Sequence, residues 1–148
     1  MRICRIQYTL GGMQISTLKR FAPVAAVMLV ASALLAACGG SSAITNLDAA
    51  GFKAKAETAG VTVIDVRTPD EFAAGHIAGA INIDVEGDSF YDGIDALDKT
   101  KTYAVYCHSG RRSGIAASEM ADAGFTSIYN LDGGIIVWGN AGYELVAS

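Results

Sequence analysis

Residues 103–113 read YAVYCHSGRRS, and this stretch indicates how the whole chain is built. Its first four residues, Tyr103 to Tyr106, are apolar and β-prone, which predicts a short buried strand. A compact polar loop follows, and an amphipathic pattern predicts a helix over 113–123 that Gly124 ends. A strand that passes through a short loop directly into a helix is typical of parallel α/β sheets.

The same alternation continues on both sides of this stretch. Apolar runs predict further strands at 43–45, 61–66, 80–83 and 126–131. Helical patterns lie at 46–59, from Thr68 onward, and at 134–141, whereas the acidic stretch 85–101 is expected to be an irregular surface connection. The elements together predict an α/β fold with an open, mostly parallel sheet of four to five strands and helices on both faces.

Cys107 lies where the strand 103–106 ends, and ligands of such sheets gather at the carboxyl ends of the strands. Backbone N–H groups of a short loop that opens a helix can converge and form an anion-binding site. These dipoles, with Arg111 and Arg112 nearby, favour a thiolate and lower a cysteine pKa from about 8.5 to roughly 3.5–7.5. A buried structural cysteine is the alternative. Two arginines and a histidine are poor neighbours for an apolar core, so the sequence favours a reactive cysteine.

Three motifs accompany this loop in chain order. They are VIDVRTPDEF at 63–72 running into GHIAGAINI at 75–83, YCHSGRRS at 106–113, and LDGGIIVW at 131–138 with Ala141 and Gly142 after it. Together they resemble the rhodanese-like sulfurtransferases over about 44–146. The resemblance implies a rhodanese-like fold for this part of the chain.

The resemblance also implies sulfur transfer in two steps. Cys107 would take the sulfane sulfur of a small anionic donor such as thiosulfate, and a thiol or cyanide would then accept it from the persulfide. The loop residues implied to bind the donor are His108, Ser109, Gly110, Arg111, Arg112 and Ser113. No cofactor is expected, and one thiol with two separated histidines predicts no metal site. A pI of about 5.0 argues against nucleic acid, and we expect a monomer.

Two rival functions stay open. Phosphatases that resemble this fold place five residues between their cysteine and arginine, whereas four separate Cys107 from Arg112. The shorter loop favours the smaller sulfur group, and its Cys-x-x-Gly-Arg-x-Ser form looks like that of small periplasmic single-domain members. The other rival is a non-catalytic rhodanese-fold module that binds a partner or senses redox state.

Other motif residues are interpreted as scaffold. Asp65 and Arg67 follow one another closely at a strand end beside the loop, where an ion pair or backbone hydrogen bonds could brace the loop. His76 is expected to be a satisfied turn histidine rather than a ligand. Trp138 is expected in the core or in a pocket wall.

The amino-terminal part carries a different signal. Residues 21–37, FAPVAAVMLVASALLAA, are uncharged and follow Lys19 and Arg20, which is typical of a secretory signal. The run is shorter than the roughly 20 residues that span a bilayer. The sequence LAACG at 35–39 resembles a bacterial lipobox, which implies cleavage before Cys38 and lipidation of its sulfur. An uncleaved anchor, or a plain signal with an incidental Cys38, remains the alternative.

The predicted organisation is therefore a signal peptide at 1–37, a lipidated cysteine and flexible tether at 38–43, and a rhodanese-like domain at 44–148. After residue 37 the chain has 15 acidic and 7 basic side chains, so its formal charge is −8. We expect a lipid-anchored membrane protein of the cell envelope that faces the periplasm or the cell exterior. Cys4 leaves with the signal and Cys38 carries lipid, which leaves Cys107 as a free thiol.

Overall fold

Five short parallel strands form the centre of the structure, a computed structural model that describes residues 42–147. The strands are β1 (Ile44–Leu47), β2 (Val61–Asp65), β3 (Ile81–Asn82), β4 (Thr102–Tyr106) and β5 (Ser127–Leu131). Their order across the sheet is β1-β5-β4-β2-β3, with every neighbouring pair parallel. The predicted open parallel sheet is thus confirmed, and β4, which leads into Cys107, is its central strand.

Five helices cover the sheet. They are α1 (Ala49–Ala56), α2 (Pro69–Ala74), α3 (Phe90–Asp95), α4 (Arg111–Asp122) and α5 (Gly134–Asn140). Because side chains alternate along a strand, each face of the sheet has its own apolar cluster. One cluster joins the sheet to α1 and α5 through Phe52 and Trp138, and the other joins it to α3 and α4 through Ile94 and Met120. Helices on both faces are therefore confirmed.

The start of α2 follows directly from its sequence. The Thr68 hydroxyl accepts a hydrogen bond from the Glu71 amide, and the Glu71 carboxylate accepts one from the Thr68 amide, both at 3.4 Å. Pro69 occupies the first helical position, where its missing N–H leaves no bond unmade. This reciprocal cap fixes where Glu71 stands on the helix.

One expectation about the surface was wrong. The stretch 85–101 is not wholly irregular, because it contains α3, whose Phe90 and Ile94 are 3% and 1% exposed. Residues four apart lie on the same side of a helix, so these two side chains reach the core while Asp92, between them, is exposed. The boundary of α4 also differs from the prediction. It begins at Arg111, since Gly110 turns the chain at a left-handed φ of +92°.

The predicted signal peptide at 1–37, the lipidated Cys38 and most of the tether at 38–43 lie outside the described residues. Within 42–147, none of the helices combines the length and the apolar character needed to cross a membrane.

Candidate active site

The loop between β4 and α4 curls around the sulfur of Cys107. Gly110 adopts φ +92°, and its amide donates a hydrogen bond to the sulfur at 3.1 Å. Glycine is needed at this position, because that φ is strained for other residues and a Cβ would lie 2.9 Å from the Gly133 amide nitrogen. The cysteine is only 1% exposed and also touches the apolar cluster beneath α3 and α4. Its sulfur therefore has the core on one side and backbone N–H groups on the other.

Two opposing effects set the pKa of the Cys107 thiol. Burial raises this pKa, but hydrogen bonds to the thiolate outweigh burial and hold the pKa below its ordinary value. The donors are the Ser113 hydroxyl and the backbone amides of Ser113, Ser109 and Gly110. The Ser113 hydroxyl also donates to the Gly110 carbonyl oxygen at 3.2 Å, and since it has one hydrogen, we expect it to turn to the sulfur when the thiolate forms.

The amino end of α5 binds the carbonyl groups of the same loop. The Ile135 amide donates to the Cys107 carbonyl oxygen at 2.9 Å, and the Ile136 amide donates to that of His108 at 3.3 Å. Gly134, at φ +61°, allows this close approach of two backbones. The loop is thus fixed through its carbonyl oxygens, which leaves its amides to serve the sulfur.

Both arginines of the loop are paired with carboxylates. Arg112 binds Glu71 through two hydrogen bonds of 2.7 and 2.8 Å, and a nitrogen of its guanidinium lies 3.4 Å from Glu86. Arg111 lies 3.4 Å from the other oxygen of Glu86. The hydrogen bonds from Arg112 hold the pKa of Glu71 at about 2, so this carboxylate is charged at neutral pH.

Sequence reasoning missed Glu71 and Glu86. A signal for Glu71 was present, because it occupies the first turn of α2, which follows β2. That strand is the neighbour of β4, so the carboxyl ends of both strands lie at the same edge of the sheet. Glu86 had no comparable signal, since it stands in the acidic stretch that was expected to be irregular.

A cleft of about 320 Å³ opens beside the loop. It is lined by Arg67, Glu71, Ala74, Gly75, His108, Ile135 and Leu145. Glu71 and His108 contribute polar groups to this lining, and Ile135 and Leu145 contribute aliphatic ones. His108 and Ser109 are exposed on the loop, so the cleft adjoins the residues that were expected to bind the donor.

Asp65 and Arg67 form a buried ion pair, which is one of the two arrangements that the sequence left open for them. The Arg67 guanidinium donates to Asp65 at 2.6 and 2.9 Å and to the Gly75 carbonyl oxygen at 2.6 Å. Their side chains are 4% and 0% exposed. The pair thus connects the end of β2 to the end of α2, which lies against the cleft.

The remaining motif residues are structural, in agreement with their interpretation from sequence. The His76 ring lies 3.0 Å from the Phe72 carbonyl oxygen and stacks on the Phe72 ring, with its backbone paired to Val146. Trp138 is 5% exposed, and its indole N–H donates to the Glu144 carbonyl oxygen at 3.1 Å. These contacts hold the carboxyl-terminal segment, including Leu145, against the cleft.

Comparison with known proteins covers the same part of the chain. A family model described as "Rhodanese-like domain" matches residues 48–141. The thiosulfate sulfurtransferase GlpE of Ectopseudomonas mendocina is 39% identical over 79 residues, which are 53% of this chain and 71% of that protein.

Solved structures show the same similarity. A rhodanese-related protein from Thermoplasma volcanium has a TM-score of 0.61 and 32% identity, over 70% of this chain and 98% of that one. A Rhodopseudomonas palustris protein described as a possible tyrosine phosphatase has a TM-score of 0.59 and 27% identity, over 71% and 86% of the two chains. The family match at 48–141 contains the strands β2 to β5 and the cysteine loop, and β1 precedes it.

Proposed function

Because this chain belongs to the rhodanese-like domain family, we propose that it is a sulfurtransferase that carries sulfane sulfur on Cys107. The observation that carries the proposal is the set of N–H and O–H donors around the Cys107 sulfur, which lowers the pKa of this thiol and so favours the thiolate. The relatives named thiosulfate sulfurtransferase support a small anionic donor.

In the first step the Cys107 thiolate attacks the outer sulfur of thiosulfate. A bond forms between the two sulfur atoms, the bond to the sulfonyl sulfur breaks, and sulfite leaves with the electron pair. The negative charge passes to the outer sulfur of a persulfide, still next to the amides of the loop. A preformed thiolate needs no general base, so His108 and Ser109 are assigned donor contacts only.

In the second step an acceptor removes the outer sulfur. Cyanide or a thiolate attacks it, the sulfur–sulfur bond breaks, and the electron pair returns to Cys107 as a thiolate. The cleft beside His108 supports entry of the acceptor from this side, because it adjoins the loop and is open to solvent. Its aliphatic wall of Ile135 and Leu145 suits the carbon skeleton of a thiol.

The test is to incubate the full chain with thiosulfate and to map the modified cysteine by mass spectrometry. We expect one added sulfur atom on the peptide that contains Cys107, and its removal by cyanide with formation of thiocyanate. Cys107→Ser should remove the increment, whereas Cys4→Ser should keep it. A chain that accepts no sulfur would contradict the proposal and favour a binding or redox-sensing module.

A second arm offers an aryl phosphate to the same preparation. The cleft and loop are expected to leave it intact, because four residues rather than five separate Cys107 from Arg112. Turnover of the phosphate without sulfur loading would assign the chain to phosphatase chemistry instead.

We further propose that the chain is exported and lipid-anchored through Cys38 in the cell envelope, facing the periplasm or the exterior. The uncharged run at 21–37 behind Lys19 and Arg20 and the lipobox-like LAACG support this. Metabolic labelling with a fatty acid tests it: the wild type should incorporate the label, and Cys38→Ser should not. Cys4→Ser is the control and should be labelled like the wild type, and a wild type without label would rule out the lipid anchor.

A further inference from the structure

Four charged side chains form a cluster of ion pairs where the cysteine loop ends, and their charges balance. Arg112 and Arg111 supply two positive charges, and Glu71 and Glu86 supply two negative ones within 2.7 to 3.4 Å. The loop was expected to attract an anionic donor through its arginines. In the structure, a donor that approaches Arg112 also meets the carboxylate that is bound to it.

Of the two carboxylates, Glu71 has the stronger effect on the charge of Arg112. It binds the Arg112 guanidinium with two short hydrogen bonds, whereas Glu86 contacts it at 3.4 Å and is 52% exposed. Arg112 is only 13% exposed, and its hydrogen bonds to Glu71 are the main reason that its pKa is raised, with a smaller contribution from the Cys107 thiolate. Glu71 also lines the cleft and is fixed on α2 by its cap with Thr68.

We propose that Glu71, by compensating the charge of Arg112, sets how strongly this site discriminates against doubly charged sulfur donors. It is a positioning and specificity-determining residue for the sulfur transfer proposed above, and the inference rests on that function. The site accepts thiosulfate, but Glu71 makes the loading of Cys107 slower with this dianion than with a singly charged donor of the same chemistry.

The size of the effect follows from Coulomb's law. Two unit charges separated by roughly 7 Å in water interact with an energy close to RT, which is a factor of about three in a rate or binding constant. Removing the Glu71 charge should therefore speed the loading of Cys107 about threefold for a monoanion and roughly tenfold for a dianion. The two donors respond differently because the effect scales with donor charge.

The experiment compares thiosulfate with methanethiosulfonate, a monoanion that transfers the same outer sulfur and releases methanesulfinate instead of sulfite. The measured quantity is the second-order rate constant for adding sulfur to Cys107, at low ionic strength, in the wild type and in Glu71→Gln. We expect the ratio of the thiosulfate to the methanethiosulfonate constant to rise about threefold in the variant. Added salt should reduce this rise, because it screens charges at the protein surface.

Three variants distinguish an effect of the Glu71 charge from an effect of a changed local structure. Glutamine can also complete the cap of α2, so Glu71→Gln keeps the local fold. Glu71→Asp retains the charge and should keep a donor ratio near that of the wild type. Glu57→Gln makes the same change in net charge before β2, at the opposite edge of the sheet, and should also leave the ratio unchanged.

The outcomes are distinct. An unchanged ratio in Glu71→Gln, with both donors slowed equally, would overturn the inference and show that Glu71 is merely structural. A ratio that also rises in Glu57→Gln would overturn it in favour of overall net charge. Loading by neither donor in the wild type would contradict the sulfurtransferase function itself, and the inference with it.

Discussion

Gly134 lies so close to Cys107 that a Cβ at position 134 would come within 2.5 Å of the Cys107 carbonyl oxygen. Its φ of +61° belongs to the left-handed region, which glycine adopts at little cost. The next residue, Ile135, donates its amide to that same oxygen at 2.9 Å. The helix α5 therefore packs closely against the cysteine loop, and this contact requires a residue without a side chain at position 134.

Gly134→Ala should destabilise the fold and disturb the loop together. The added methyl meets backbone atoms of Cys107 and His108, which cannot move aside without breaking the hydrogen bonds to α5. We expect a loss of about 2–4 kcal/mol in the free energy of unfolding, measured by urea denaturation. Sulfur loading of Cys107 should slow as well, because the loop amides shift relative to the sulfur.

Gly114→Ala is the matched control. Gly114 lies within α4, and a Cβ there would meet nothing within 4 Å. Alanine at an open helical position stabilises by up to about 1 kcal/mol relative to glycine. Equal free energies of unfolding for the Gly134 and Gly114 variants would show that position 134 has room for a methyl group, contrary to the structure.

Ser113→Ala should raise the pKa of Cys107. The Ser113 hydroxyl donates to the thiolate, and a hydrogen bond to the charged form favours that form. Without this hydrogen bond, the effect of burial raises the pKa of Cys107, so a smaller fraction of the thiol is ionised at a given pH. The rate of alkylation of Cys107, followed against pH, should show its midpoint displaced to higher pH in the variant.

Ser109→Ala is the control for this pH profile. Ser109 contributes to the low pKa of Cys107 through its backbone amide, which alanine retains. We expect the midpoint of the alkylation profile to stay at its wild-type position. A shift of equal size in both variants would mean that the side chains act through the loop conformation and not through the hydroxyl of Ser113.

Much of this arrangement could be predicted from sequence because the deciding signals are local. The strand that ends at Tyr106 runs directly into the loop that begins at Cys107 and contains Gly110, and the partners Asp65 and Arg67 are only two positions apart. Local patterns of strand, turn and helix therefore placed the cysteine at the carboxyl end of a strand, which the structure shows to be the central one.

The pairing of Glu71 with Arg112 could not be found in this way. The two residues are 41 positions apart and meet because β2 lies beside β4 in the sheet. Strand order is decided by which faces pack against each other, and the apolar pattern of one strand does not report it. The sequence assigned Arg112 to the donor, and the structure adds that its guanidinium is hydrogen-bonded to the Glu71 carboxylate.

Phe90→Ala tests the helix that the sequence did not predict. Phe90 is 3% exposed and belongs to the apolar cluster on the α3 and α4 face. Truncating a buried phenylalanine leaves a cavity and usually costs about 3–5 kcal/mol of stability. Urea denaturation should show a loss of this order.

Tyr91→Ala is the neighbouring control, since Tyr91 is 59% exposed and its hydroxyl donates a hydrogen bond to Glu119 at the surface. We expect a change within about 0.5 kcal/mol. Similar losses at positions 90 and 91 would mean that the stretch behaves as the irregular connection expected from its acidic composition.

The ion pair between Glu71 and Arg112 should make stability depend on pH in a defined direction. The bonded guanidinium lowers the pKa of Glu71 from 4.5 to about 2, so the folded state favours the charged carboxylate more than the unfolded state does. This stabilisation is complete above about pH 4.5 and is lost as the pH falls towards 2. Because the Glu71 side chain is 34% exposed and screened by water, we expect about 1–2 kcal/mol at neutral pH. Urea denaturation of the wild type and Glu71→Gln should therefore differ by this amount near neutrality and converge in acid, and a difference that stays constant with pH would exclude the ion pair as its source.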